Sequence, residues 1–422
     1  MTICEIASNT PVRALVFQRF YFGIIIALYK DEINTNNFYG GQNMEFSYSR
    51  EQQMVKKMVK TFAETEIEPI AAEIDEQAVF PFETVAKLGE LGLMGMPFPQ
   101  DLGGAGTDYL TYIMAIEEVS KVDGSHGVII QTHNALCCWP IFTYGTEEQK
   151  QKYLPDLLTG KKLGAFGLTE PNAGTDAAGT QTKAVDAGDH WILNGSKIFI
   201  SGGGVADVYV IMAMTDKSKG TKGISAFIVE KGTPGFSFPK HENKMGIRGS
   251  LAAELVFEDC CIPKENLLGP MGKGFKVAMT SLDVGRLGIA AQALGIAQGA
   301  FDQTVKYMKQ RKQFGRTLDK FQALAFEMAA MKTRIDGARY LLYDACNTRD
   351  RGLPPAVAAA EAKLACSEAA MYVTTKAVQF HGGYGYIKDY PVERMMRDAK
   401  ITEIYEGTSE VMKMVMAGEI FK

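Results

Sequence analysis

At 422 residues the chain is too long for one compact core and calls for two or three domains. Apolar residues make up 46% and charged residues 22%; with a formal net charge of −4 and no Lys/Arg-rich run, binding to nucleic acid through bulk charge is excluded. The seven cysteines contain no CxxC pair, and two adjacent doublets (Cys137–Cys138 and Cys260–Cys261) suit neither structural disulfides nor a metal site, so a reducing cytoplasm is expected.

Near the start, Ala14 to Tyr29 are apolar, but Arg19 interrupts them and the run is too short to span a bilayer. No small-residue cleavage site follows, so neither a secretory signal nor a membrane anchor is expected. From Met44 the character changes. Ser49 and Gln52 form a capping-box pattern, and Met54, Val55, Met58, Val59 and Phe62 recur on one helical face. Folding is therefore expected to begin near Met44, with residues 1–43 a disordered or non-native extension.

Helical spacing continues over 44–160, broken by glycine-rich connections such as "DLGGAGTDYL". Over 161–272 it gives way to short β-branched and aromatic runs separated by Gly, Asn, Asp and Lys, which predicts an antiparallel β domain. Within it, Asn194–Gly195 reads as a two-residue hairpin turn. Helical periodicity returns over 273–422, where long segments joined by short loops predict a four-helix bundle. No G-x-G-x-x-G follows a strand and no P-loop is present, which disfavours a doubly wound nucleotide fold.

Five stretches carry chemistry. In "GAFGLTEPNAGTD" (164–176), glycines allow the backbone to approach a planar ligand, and Thr169 and Thr175 offer hydroxyls. In "KIFISGGG" (197–204), Phe199 alternates with Ser201, an aromatic and a hydroxyl suited to a heteroaromatic ring. In "RKQFGRTLDKFQ" (311–322), the rigid fork of Arg311 matches diphosphate oxygens. In "QFHGGYGYIKDYPVERMMRD" (379–398), Gly382 and Gly383 end a helix whose unpaired backbone groups can meet a phosphate or ring, and His381 is read as structural. In "KITEIYEGTSEVM" (400–412), Glu406 can remove a carbon-bound proton if Tyr405 and its apolar surroundings keep it dry. Alone, the first three and the last have ordinary readings: a linker, a core aromatic, a solvated helix end and a helix-terminal acid.

In this order and at these distances the stretches resemble the acyl-CoA dehydrogenase family. The wording "LTEPNAGTD", "GIAAQALGIA", "RKQFGR" and "GGYGYIKDYPVERMMRDAKITEIYEGTSEV" is similar to that of short-chain (butyryl-CoA) dehydrogenases of anaerobic bacteria. The resemblance runs from about Met44 to Lys422. It implies an α+β multidomain fold: an N-terminal helical domain, a middle antiparallel, barrel-like β domain and a C-terminal four-helix bundle. It also implies a homotetramer with non-covalent FAD and no metal, exchanging electrons with an electron-transfer flavoprotein.

By the same resemblance Glu406 is the base that takes the α-proton of a short-chain acyl-CoA, butyryl-CoA in the first instance, while flavin N5 accepts the β-hydride. Phe166, Leu168, Thr169, Phe199 and Ser201 would border the flavin. Arg311, Phe314, Gln322, Gln379, Gly382 and Gly383 would hold its diphosphate and adenosine across a subunit interface. Thr408 and Glu410 match cofactor contacts after the base, and Thr175, Asp283, Arg286 and Gly407 match contacts to acyl-CoA. Ser201 and Gly202 depart from the usual Thr and Asn, and Asn134 and Trp139 stand where smaller residues are frequent, which leaves acryloyl-, aryl-acryloyl- and medium-chain acyl-CoA open as substrates. An acyl-CoA oxidase, usually a longer chain, is the alternative chemistry.

Overall fold

The computed structural model describes residues 48–422, so the expectations for residues 1–43 and for a start near Met44 lie outside the described residues. Helix α1 (Arg50–Phe62) opens as its sequence requires. The Ser49 hydroxyl accepts from the Gln52 N–H at 3.1 Å, and the Gln52 side chain accepts from the Ser49 N–H at 3.0 Å. A π-helical stretch leads into α2 (Glu68–Gln77), followed by α3 (Phe82–Glu90), α4 (Tyr109–Ser120) and α5 (Gly124–Gln131). A second π-helical stretch, Thr132–Cys138, joins α5 to α6 (Trp139–Tyr144), and α7 (Glu147–Leu158) closes this part.

The middle of the chain forms an eight-stranded sheet: β1 (Gly164–Gly167), β2 (Lys183–Asp186), β3 (His190–Ser201), β4 (Val208–Met214), β5 (Ile224–Glu230), β6 (Phe236–Ser237), β7 (Ala252–Pro263) and β8 (Leu267–Leu268). Its order is β6-β7-β3-β2-β4-β5-β8, with β1 added beside β4. Two expectations are corrected. The sheet is not purely antiparallel, because β1 runs parallel to β4 from Gly164 opposite Val208 to Gly167 opposite Ile211. It also stays open, since the two-residue edge strands β6 and β8 do not pair with each other.

Asn194–Gly195 forms no hairpin turn. It lies inside β3 at a register shift against β7, where Gly195 has φ +141° and an added Cβ would come 2.7 Å from the Thr182 Cα. The Asn194 amide, which a turn would have left to its own backbone, instead donates to Asp259 at 3.0 Å and accepts from its N–H at 2.8 Å. A second register shift in β3, between Lys197 and Ile200, rolls Phe199 outward.

The C-terminal part consists of α8 (Gly274–Gln310), the ribbon β9 (Lys312–Gln313) and β10 (Arg316–Thr317), α9 (Gln322–Asp350), α10 (Ala356–His381), α11 (Val392–Ile401) and α12 (Ser409–Ile420). One core unites it with the first helices. Tyr112, Ile113 and Ile116 of α4 pack with Leu287 and Leu294 of α8, Ile335 and Leu342 of α9, and Ala370 and Val373 of α10. Each such leucine, fully removed from water, contributes about 1.5–3 kcal/mol. Glycines permit the closest approach: a Cβ at Gly295 or Gly299 would run into the Glu117 or Lys121 carbonyl of the neighbouring helix. A second core seats α6, α7 and the start of α8 on one face of the sheet, and a third fills the other face around Trp191, Tyr209 and Phe227.

Candidate functional site

Glu406 occupies the turn between α11 and α12. Thr408 starts α12 by accepting from the Val411 N–H at 3.3 Å. Gly407, at φ +103°, supplies a backbone shape that an ordinary residue avoids. Glu406 itself has φ +53°, a conformation that costs a non-glycine residue about 1–3 kcal/mol and persists only where its surroundings fix it.

Three elements fix it. Arg286 Nε of α8 donates to the Glu406 carbonyl at 3.2 Å, and Lys363 Nζ of α10 donates to the Gly407 carbonyl at 2.7 Å. Gln131 Nε2, the last residue of α5, donates to Glu406 Oε1 at 2.9 Å and to the Gly285 carbonyl at 3.1 Å. Gly285 leaves the space the carboxylate fills, since a Cβ there would overlap Glu406 Oε2. That oxygen is buried and has no hydrogen-bond partner among the described residues.

Burial pushes the Glu406 carboxyl up to about 7, against the pull of the Gln131 donor and the Arg286 and Lys363 charges. Burial also brings Lys363 down to about 8. Asp283 is raised by burial although it pairs with Arg286 at 2.7 Å. The phenols of Tyr109, Tyr112 and Tyr405 are all raised by burial, so they stay protonated around the carboxylate. Tyr109 donates to the Val284 carbonyl at 2.9 Å, and Tyr405 is tied to Gln292. A dry carboxylate whose proton affinity matches neutral pH can take a proton from carbon and give it up again.

A second locus joins the end of β1 to β3. Phe166 and Leu168 are buried, and the Thr169 carbonyl accepts from the Ile198 N–H at 2.9 Å. Beneath them lies an ion pair with both side chains buried. Lys197 Nζ is 2.6 Å from Glu170 and 3.1 Å from the Leu168 carbonyl, while Glu170 accepts from the backbone N–H groups of Gln181 and Thr182. Burial lowers Lys197 to about 8. Burial works to raise Glu170 as well, but Lys197 and the donors outweigh it and hold the carboxyl below its ordinary range. This scaffold carries Phe199, 63% exposed at φ +60°, and Ser201 at the strand end.

A third locus is a cleft of about 570 Å³ where the C-terminal ends of α8 and α10 meet, lined by Arg311, Gln379, Gly382, Gly383 and Tyr384 among others. The Arg311 guanidinium lies 5.4 Å from the Tyr384 ring centre. His381 is buried, stacks on Tyr307 at 4.2 Å and has Nδ1 2.8 Å from the Ala377 carbonyl, as a packing residue would. Phe314, 93% exposed at φ +50°, and Gln322 flank this region without lining the cleft.

The structure thus brings Asp283, Arg286 and Gly407 to Glu406, and Arg311, Gln379, Gly382 and Gly383 to one cleft. Thr175 lies exposed in the loop after β1, with no bond to the Glu406 cluster among the described residues, and Glu410 is exposed on the first turn of α12. Asn134 is buried and donates to the carbonyls of Leu93 and Ile130, and Trp139 packs edge-on against Tyr144. Gln131, Gly285 and Lys363 were not foreseen. The signal for Lys363 was available: it interrupts the stripe Ala359, Ala362, Cys366, Ala370 that α10 buries.

Family profiles match almost the whole described chain: acyl-CoA dehydrogenase N-terminal domain over 49–161, middle domain over 165–260 and C-terminal domain over 272–421. A short-chain specific acyl-CoA dehydrogenase of Clostridium acetobutylicum is 62% identical over 379 residues, 90% of this chain and 100% of that protein. The solved butyryl-CoA dehydrogenase of Megasphaera elsdenii superposes with a TM-score of 0.88 at 51% identity, over 90% of this chain and 100% of that one. A chain in a structure described as the electron transferring flavoprotein of Acidaminococcus fermentans gives a TM-score of 0.89 at 55% identity, over 90% and 100%.

Proposed function

Because this chain belongs to the acyl-CoA dehydrogenase family of oxidoreductases, we propose that it interconverts butyryl-CoA and crotonyl-CoA with Glu406 as the base for the α-proton. The observation that carries this reading is the buried, unpartnered Glu406 Oε2 on a carboxyl raised to about 7. Short-chain preference rests on the substrate named for the relatives above.

FAD is the cofactor proposed, and the residues present fit it. Among the described residues, Phe199, Phe314 and Glu406 are three of six non-glycine residues at positive φ, and both aromatics are solvent-exposed in that strained shape. Exposed aromatics suit a planar ring, and the Arg311 cleft with its two glycines suits a diphosphate. Phe166, Leu168, Thr169, Phe199 and Ser201 would hold the ring, and Arg311, Phe314, Gln322, Gln379, Gly382 and Gly383 the diphosphate and adenosine, with Thr408 and Glu410 beside it. When bound, FAD supplies the acceptor for the β-hydride.

The chain's own part is to bind, dry and deprotonate. Arg286 and Lys363 fix the Glu406–Gly407 backbone and keep enough positive charge nearby for the carboxylate to ionise. The Glu406 N–H has no partner among the described residues and can donate to a thioester oxygen as charge develops there. Thr175, Asp283, Arg286 and Gly407 would contact the acyl-CoA. Electron exchange with an electron-transfer flavoprotein is supported by the Acidaminococcus neighbour. A homotetramer is supported by Phe314, Phe326 and Tyr340, large side chains exposed on α9 and the ribbon before it. The cysteine pattern is the support for a cytoplasmic setting.

Anaerobic titration of the FAD-loaded protein with butyryl-CoA tests the reading. Stoichiometric bleaching of the flavin absorbance is expected, and an equal or faster response to octanoyl-CoA would overturn the short-chain assignment.

A further inference from the structure

Gln131 makes a choice between the two oxygens of Glu406. Its amide nitrogen faces the Gly285 carbonyl at 3.1 Å and Glu406 Oε1 at 2.9 Å together. A backbone carbonyl only accepts, so it holds the amide nitrogen toward itself and prevents the side chain from presenting its oxygen there. The backbone of α8 enforces the same arrangement by shape. A Cβ at Gly288 would overlap Gln131 Cγ, and one at Gly285 would lie 3.0 Å from Gln131 Nε2, so the two glycines form a slot for this side chain. Gln131 is wholly buried, and Glu406 Oε2 is left buried and unpartnered beside it.

We infer that Gln131 is a positioning residue for Glu406: a donor that cannot turn round holds Oε1 and leaves Oε2 as the oxygen that takes the proton. The assignment rests on Glu406 as base, and it goes further by naming the acceptor atom and the group that selects it. It also has an electrostatic side. A fixed donor bonds the ionised carboxylate more strongly than the carbonyl oxygen of the protonated acid, so it restrains the rise that burial causes. The charged and titratable groups facing Glu406 are Arg286 and Asp283 from α8, Lys363 from α10, Tyr109 and Tyr112 from α4, and Tyr405 in its own turn. Among the neighbours bonded to the Glu406 carboxylate, Gln131 is a neutral donor, so its removal leaves the count of charges unchanged.

The test uses the FAD-loaded protein and two variants. Gln131→Met keeps the length and removes the donor; Gln131→Asn keeps the amide but withdraws it by one methylene. Infrared difference titration without substrate follows the carboxylic-acid band that is lost in Glu406→Gln. Its midpoint is expected to rise by about one unit in Gln131→Met, and in the same direction in Gln131→Asn. Stopped-flow bleaching by butyryl-CoA should then slow most at acid pH and recover toward alkaline pH.

A structural role alone would lower the rate equally at every pH. An unmoved midpoint, or a uniform loss of rate, overturns the inference. If Glu406→Gln bleaches normally, the base assignment fails instead, while the band midpoint still reports whether Gln131 holds the carboxylate.

Discussion

Replacing Gly285 by alanine sets two effects of known size against each other. In the interior of a helix, Gly→Ala favours the folded state by about 1 kcal/mol through backbone entropy. Against this, the new methyl would overlap Glu406 Oε2 and lie 3.0 Å from both Gln131 Nε2 and Glu406 Cδ. Overpacking of this kind costs about 1–3 kcal/mol, less where side chains rather than backbone can yield. Here the atoms in the way are two side-chain ends, so the carboxylate and amide move and the helix stays.

Stability should therefore change little, with the melting temperature within a few degrees of the parent. The rate should not survive. Displacing a reacting group by about 1 Å can cost on the order of a hundredfold. Thermal unfolding and anaerobic stopped-flow bleaching with butyryl-CoA, run on the same FAD-loaded preparation, measure both. A folded Gly285→Ala protein that bleaches at the parental rate would refute the claim that the carboxylate must occupy this slot.

Glu406→Gln should retain fold and flavin colour and lose bleaching by substrate, read from the absorbance spectrum. Lys197→Met strands the buried Glu170 carboxylate and should cost about 3–5 kcal/mol in urea unfolding, whereas Lys197→Met with Glu170→Leu should recover part of the loss. Lys363 gives a pH signature. Its folded value near 8 lies below its ordinary 10.5, so between these values the unfolded chain binds more protons and stability should rise with pH across that window. Urea titrations at pH 8 and pH 10 should show this rise shrink in Lys363→Met, and an identical rise in both proteins would contradict it.

What could be read beforehand was what is local in the chain. The Ser49–Gln52 box, the change from helical to strand spacing and back, and the glycine after Glu406 each announce themselves within a few residues. Asn194–Gly195 misled because a turn signal is also a bulge signal, and the partner that decides between them, Asp259, lies 65 residues on. The parallel pairing of β1 with β4 and the grip of Gln131 on a carboxylate 275 residues away depend on separations that no spacing rule reports. Glu406 was legible through its neighbours in the motif; the groups that tune it were not.

The shared helical core has a bearing on how the chain is made. The Tyr109 hydroxyl bonds a carbonyl 175 residues later, and Arg339, which pairs with the buried Glu117, lies 222 residues after it. At ribosomal speeds of about 5–20 residues per second, α4 emerges roughly ten to forty seconds before the surfaces that cover it. Throughout that interval α1 is already available to pack on α4, but the side that α8 and α9 cover, Glu117 included, lacks its partners, so this core is completed only as the last helices arrive.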